Sequence, residues 1–201
     1  MNPLNRIFAA LLLTVAMLTA ATAAERDNVT NTISSLIAPD KLATLGKRGA
    51  IPRVQKYVYW LETARAQGGD PKAVAEAAVK AAGYTSEEAR KLTVDAMLRN
   101  LDIATKLGCL DTEGLEAMRR GHSPTVRKGP YRGDKLSVDH IVPRAVHPEF
   151  DNVIANLELM PLRMNESKNA SMGARQKDLA KKLRKAGLHS NDPLHKWQKG
   201  I

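Results

Sequence analysis

The 201-residue chain has a single cysteine, Cys109, and aromatic residues make up only 4% of it, two of them tryptophan and two phenylalanine. One cysteine excludes an intramolecular disulfide framework and any cysteine-based structural zinc site. Flanked by Leu107 and Leu110, Cys109 reads as a small buried hydrophobe. The scarcity of aromatics argues against a nucleic-acid binder built on stacking platforms, so contact with such a partner would have to run through phosphates. With 43% hydrophobic and 26% charged residues, the chain can bury a core and is not a disordered polyelectrolyte.

One long hydrophobic run exists, Ile7 to Leu18, preceded by Arg6 and followed by the small residues Ala21-Thr22-Ala23-Ala24. That order is a secretory signal peptide over residues 1–24. The competing reading is an uncleaved anchor, since Ile7 to Ala24 approaches the length of a spanning helix. The threonine and small alanines favour cleavage. The expected location is therefore secreted or periplasmic, without stable membrane association once the signal is removed.

The formal net charge is +10, and it is unevenly placed. Residues 25–118 hold 13 Lys/Arg and 13 Asp/Glu, whereas residues 119–201 hold 17 and 8. A field of one sign over half the molecule attracts polyanions, phosphate backbones foremost, although anionic lipid would respond equally.

Residues 25–118 read as helical. Pro52, Asp70-Pro71 and Ser86-Glu87-Glu88 are helix starts, and Ala89, Leu92, Ala96, Met97, Leu101, Ala104 and Leu107 recur at helical spacing up to Gly108. Asp111 can cap a short fourth helix ending near Gly121. No fixed-period repeat appears, and no cluster of ionisable groups marks a site. After Gly121 the helical period gives way to prolines 124, 130, 143, 148 and 161. Lys135 to Val142 and Asn156 to Met160 read as two strands, with a helix after Pro161 carrying Asn165 and Lys168. Gly173 to Gly187 reads as an amphipathic basic helix exposing Lys177, Lys181, Lys182, Arg184 and Lys185. The expected fold class is α+β, a mainly helical region 25–118 followed by a strand–strand–helix unit and a basic C-terminal helix within 119–201.

The strand–strand–helix unit carries the residues that phosphodiester hydrolysis needs: a base for water, a cation to neutralise phosphoryl charge, and donors that hold the phosphate. His140 has the side chain suited to a general base near neutral pH. Asp139 and Asn165 offer oxygen ligands to a divalent metal. Asn156 could fix the His140 imidazole through a side-chain hydrogen bond, and Lys168, three positions after Asn165 on one helix, could reach a phosphate. Adjacent strand residues point to opposite faces, so the strand must bend or end at Asp139-His140 for both to serve one site.

Asp139-His140-Ile141-Val142-Pro143, then Asn156-Leu157, then Asn165-x-x-Lys168 resembles the HNH endonuclease motif of the ββα-metal nucleases. The resemblance covers about 31 residues, Val138 to Lys168, with Asn165 where many members have histidine. It implies His140 as general base, Asp139 and Asn165 as ligands of one catalytic metal, Asn156 as the residue that orients the base, and cleavage that leaves a 5′-phosphate. One carboxylate, one amide oxygen and waters suit Mg²⁺ first and Mn²⁺ second.

The functional expectation is a secreted or periplasmic metal-dependent endonuclease, acting on DNA ahead of RNA with little sequence specificity, because no base-reading module is recognisable. Two alternatives stand beside it: an antibacterial effector nuclease with an immunity partner, and an extracytoplasmic nucleic-acid-binding protein without turnover. His147 and His122 read as loop and turn residues, and His189 and His195 as solvated tail. Arg163 and Asn169 flank the site helix, where they could touch substrate, and Trp197 reads as packing the tail against the body, with stacking on a base as the alternative.

Overall fold

The computed structural model describes residues 25–168 and 171–189; the expected signal segment, Asn169, His195 and Trp197 lie outside the described residues. The protein is α+β, with helices around one small antiparallel sheet. Helix α1 runs through residues 25–37, followed by α2 (Pro39–Ala43), α3 (Ile51–Ala66), α4 (Pro71–Ala81), α5 (Glu87–Lys106) and α6 (Thr112–Arg119). Strands β1 (Leu136–His140) and β2 (Leu157–Pro161), then α7 (Leu162–Glu166) and α8 (Ala174–Lys185), complete the order.

The helix starts follow from local chemistry. Asp70 accepts hydrogen bonds from the N–H groups of Lys72 and Ala73, Ser86 from that of Ala89, and Asp111 from that of Gly114. Each side chain satisfies donors that a first helical turn leaves free. Gly108, at φ 67°, turns the chain out of α5. The carbonyl of Leu107 then accepts from the N–H groups of Arg127 and Lys128 at 2.9 and 3.0 Å, tying the end of α5 to the approach to β1.

β1 and β2 pair antiparallel with Leu136 opposite Pro161 and His140 opposite Leu157. The expected strand from Lys135 to Val142 is shorter at its end for a specific reason. Beyond His140 the ladder is continued by one residue, as Ile141 N–H donates to the Asn156 carbonyl and Val142 N–H donates to Asn156 Oδ1. β1 alternates buried and half-buried residues, but β2 is buried throughout, including Glu158. Glu158 is covered by Arg99 from α5 and Arg175 from α8, at 3.1 and 2.5 Å.

A two-stranded sheet is marginal alone. Here α5 supports it. Asn100 Nδ2 donates to the Leu157 carbonyl at 3.0 Å and Asn100 Oδ1 accepts from Leu159 N–H at 2.9 Å. One carboxamide thus takes the place of a third strand along β2. On β1, Gln55 Nε2 donates to the Leu136 carbonyl. The composition change near residue 118 does not divide the core, because a single apolar cluster runs from Ile33, Val58 and Met97 to Leu136, Phe150 and Leu157. Cys109 is buried in it as expected, and desolvation, with Asp111 nearby, pushes its thiol up to about 11. Among the described residues, no helix is long and apolar enough to cross a membrane.

Candidate functional site

The end of β1, the turn after it and α7 together form an open cleft. Asp139, His140, Pro143, Arg144, Ala145, Asn165 and Lys168 line it. Four of the five residues singled out in the sequence therefore meet, and Asn156 is the exception. Asp139 and His140 share the cleft because β1 stops at His140, although the pleat places Asp139 half-buried on one face and His140 buried on the other.

His140 Nε2 lies 2.9 Å from the Asp151 carbonyl and 2.8 Å from Asp151 Oδ1. Both are acceptors, so Nε2 carries the proton in the neutral ring and Nδ1 keeps its lone pair. Nδ1 has no hydrogen-bond partner among the described residues. Asp151 is itself held, its Oδ2 accepting from Arg48 N–H at 3.0 Å in a turn where Arg48 has φ 60°. Next to it, Asn152 Oδ1 accepts from Ala50 N–H, and Asn152 Nδ2 donates to the carbonyls of Leu45 and Gly46. The turn between α2 and α3 thus grips the loop that positions the imidazole.

This corrects the expected role of Asn156. Its side chain does not reach the imidazole; it accepts from Val142 N–H at 2.8 Å and donates to the carbonyls of Val142 and Phe150, both at 3.1 Å. Fully buried, it fastens the two ends of the loop between the strands. Sequence reasoning missed Asp151. The available signal was a polar pair, Asp151-Asn152, enclosed by Phe150 and Val153-Ile154, where a solvated loop would not place apolar residues on both sides.

Lys168 was expected on the same helix as Asn165 but lies two residues beyond α7. A bond from Lys168 N–H to the Asn165 carbonyl, 3.1 Å, keeps it in the continuing turn. Lys168 Nζ donates to Asp139 Oδ2 at 2.5 Å and to the His140 carbonyl at 3.1 Å. Asn165 Nδ2 donates to Ser137 Oγ at 3.2 Å, which leaves its Oδ1 without a hydrogen bond among the described residues. Asp139 Oδ1 is similarly free. Two oxygen donors therefore face one cleft with unspent lone pairs, a set that suits a hard divalent cation retaining much of its water. No group of three or more His, Cys, Asp or Glu side chains suited to a metal occurs among the described residues.

The basic face of α8 is less free than its sequence suggests. Lys182 pairs with Asp178 at 2.7 Å, Lys185 with Glu88 at 2.5 Å, and Arg184 with Glu149 at 3.4 Å. Lys177 and Lys181 have no ion pair among the described residues. His147 Nδ1 lies 3.0 Å from both Glu149 Oε1 and Arg184 Nη2, which attaches the loop to α8 and keeps His147 off the cleft lining. Burial opposes ionisation of Glu149, but its own backbone N–H, His147 and Arg184 outweigh that and hold its carboxyl below the usual range.

Comparison with protein-family models, curated proteins and solved structures found no match to this chain.

Proposed function

We propose that the protein is a metal-dependent endonuclease of the HNH type, hydrolysing phosphodiester bonds of nucleic acid, DNA ahead of RNA, with little sequence specificity. The observation that carries the reading is the tether of His140. With Nε2 committed to Asp151, the ring is oriented and its tautomer is set, so Nδ1 is the atom available to take a proton from water at the cleft. Asp139 and Asn165 are the residues that would hold the metal, Mg²⁺ before Mn²⁺. When bound, the ion supplies charge neutralisation at the phosphoryl oxygens. Lys168 holds the Asp139 carboxylate in place. The expected secreted or periplasmic location belongs to the same proposal.

One observation favours a second reading. The Lys168 ammonium already neutralises Asp139, so the cleft is charge-balanced there without a metal, as a nucleic-acid-binding protein without turnover would require.

The test is plasmid nicking by the purified protein in Mg²⁺, Mn²⁺ or EDTA, with single-stranded DNA and RNA in parallel. The expected result is metal-dependent cleavage that His140→Ala lowers by roughly 10²- to 10⁴-fold, the usual contribution of a positioned base. DNA binding should survive that substitution. A folded protein that binds DNA but cleaves no substrate in either metal would remove the hydrolytic reading and leave the binding one.

A further inference from the structure

Two cationic side chains line the cleft, and the structure treats them differently. Lys168 is engaged. Two of its three N–H bonds are spent on Asp139 Oδ2 and the His140 carbonyl. Arg144 is half-buried in the same lining, yet among the described residues its guanidinium has neither a hydrogen bond nor an ion pair. The other arginines near the sheet do have partners: Arg99 and Arg175 meet Glu158, and Arg163 meets Asp134.

We infer that Arg144 is the residue that grips the phosphate of bound nucleic acid, and that Lys168, for which that role was expected, is instead a positioning residue for Asp139. The inference rests on the reading of the cleft as a nucleic-acid site. Three observations carry it. The first is charge: Asp139 and Lys168 cancel, so Arg144 leaves the cleft with one uncompensated positive charge, matching the single negative charge of a phosphodiester. The second is geometry of the donor. A guanidinium presents a planar fork that meets two phosphate oxygens at once, whereas an ammonium with one N–H left cannot. The third is the root of the side chain. Arg144 follows Pro143 in a turn whose Val146 and His147 N–H groups both donate to the Pro143 carbonyl at 3.0 Å, so its backbone is held before any ligand arrives.

The experiment is salt-dependent binding of a DNA oligonucleotide to the full chain in EDTA, read by fluorescence anisotropy, for the wild type, Arg144→Gln, Arg144→Lys and the double variant Asp139→Asn/Lys168→Gln. Loss of one phosphate contact should lower the slope of log K against log salt by about 0.9 and weaken low-salt binding by roughly tenfold in Arg144→Gln. Arg144→Lys should recover the slope but only part of the affinity, because it restores charge without the fork. The double variant Asp139→Asn/Lys168→Gln should keep the wild-type slope, since the two charges it removes cancel each other. An unchanged slope in Arg144→Gln, or an equal loss in Asp139→Asn/Lys168→Gln, overturns the assignment. Because the assay contains no metal and measures no cleavage, it stays distinct from the nicking test. Wild-type binding with an unchanged Arg144→Gln slope defeats only this inference, whereas binding without nicking in either metal defeats only the hydrolytic reading.

Discussion

Between Glu25 and Arg120 three polar side chains are buried among the described residues, Gln55, Thr93 and Asn100; between His140 and Glu158 there are five, His140, Asp151, Asn152, Asn156 and Glu158. The helical region is held by apolar contact, with its charges in solvent-exposed pairs such as Lys91–Asp95 and Lys106–Asp102 that contribute about 0–1 kcal/mol each. The loop and strands are held by side chains bonded to backbone. Burying polar groups is costly unless each finds its partner, so the second region is stable only while its hydrogen-bond set is complete. Hydrophobic packing tolerates small displacements, whereas a bond that Asn156 Oδ1 accepts from one particular N–H does not. The two regions thus divide the work: the helices supply bulk stability, and the loop supplies the positional accuracy a proton-transferring imidazole needs.

The largest test of that division lies where one region reaches into the other. Asn100→Ala strands the Leu159 N–H and removes the partner of the Tyr57 hydroxyl, 2.6 Å away, whose burial pushes it up to about 12. At about 1–3 kcal/mol for each buried group left unsatisfied, the loss should be roughly 3 kcal/mol in urea unfolding. A loss under about 1 kcal/mol would mean that apolar packing alone secures the sheet. Asp151→Asn should be milder. Its amide still spans His140 and Arg48, but it removes the fixed acceptor charge that selects the Nε2–H tautomer; nicking should fall by about tenfold with little change in unfolding midpoint. An unfolding loss as large as that of Asn100→Ala would show Asp151 to be structural rather than positioning. The smallest effect concerns Asp134, whose carboxyl is held below its usual range chiefly by the backbone N–H of Arg163 at the start of α7, with Lys135 N–H assisting. A depressed folded-state pKa stabilises above the unfolded value and is lost as pH falls through the folded one. Asp134→Asn should therefore lower stability slightly near neutrality, where the ionised carboxylate contributes, and flatten the acid limb of the stability curve below about pH 4.

The helices were legible because their signals are local: Asp70, Ser86 and Asp111 cap within three residues of themselves, and Gly108 stops α5 where the apolar period ends. Asp139, His140, Asn165 and Lys168 were legible because one short stretch of chain carries them all. What sequence did not show is long-range. Asp151 meets Arg48 from 103 positions away in the sequence, and Asn100 sits on the apolar stripe of α5 beside Met97, Leu101 and Ala104, where a lone polar residue signals a distant backbone partner. The function of Asn156 was misjudged for a related reason: an Asn at a strand start bonds equally well to a ring or to a loop, and only the loop's path decides. The basic face of α8 was overstated because Glu88 and Glu149, which neutralise part of it, come from remote segments.

The carboxamide of Asn100 has a consequence for how the molecule behaves in a crowded solution. A sheet of two strands presents two open edges, and unpaired edges recruit strands from other chains. Along β2, the carbonyl of Leu157 and the N–H of Leu159 are already taken, while on β1 Leu136 N–H donates to Pro124 and its carbonyl accepts from Gln55. Pro161, at the end of β2, has no N–H to offer. An incoming strand would find no row of free donors and acceptors long enough to pair with, so this sheet is closed to growth without ever becoming a barrel.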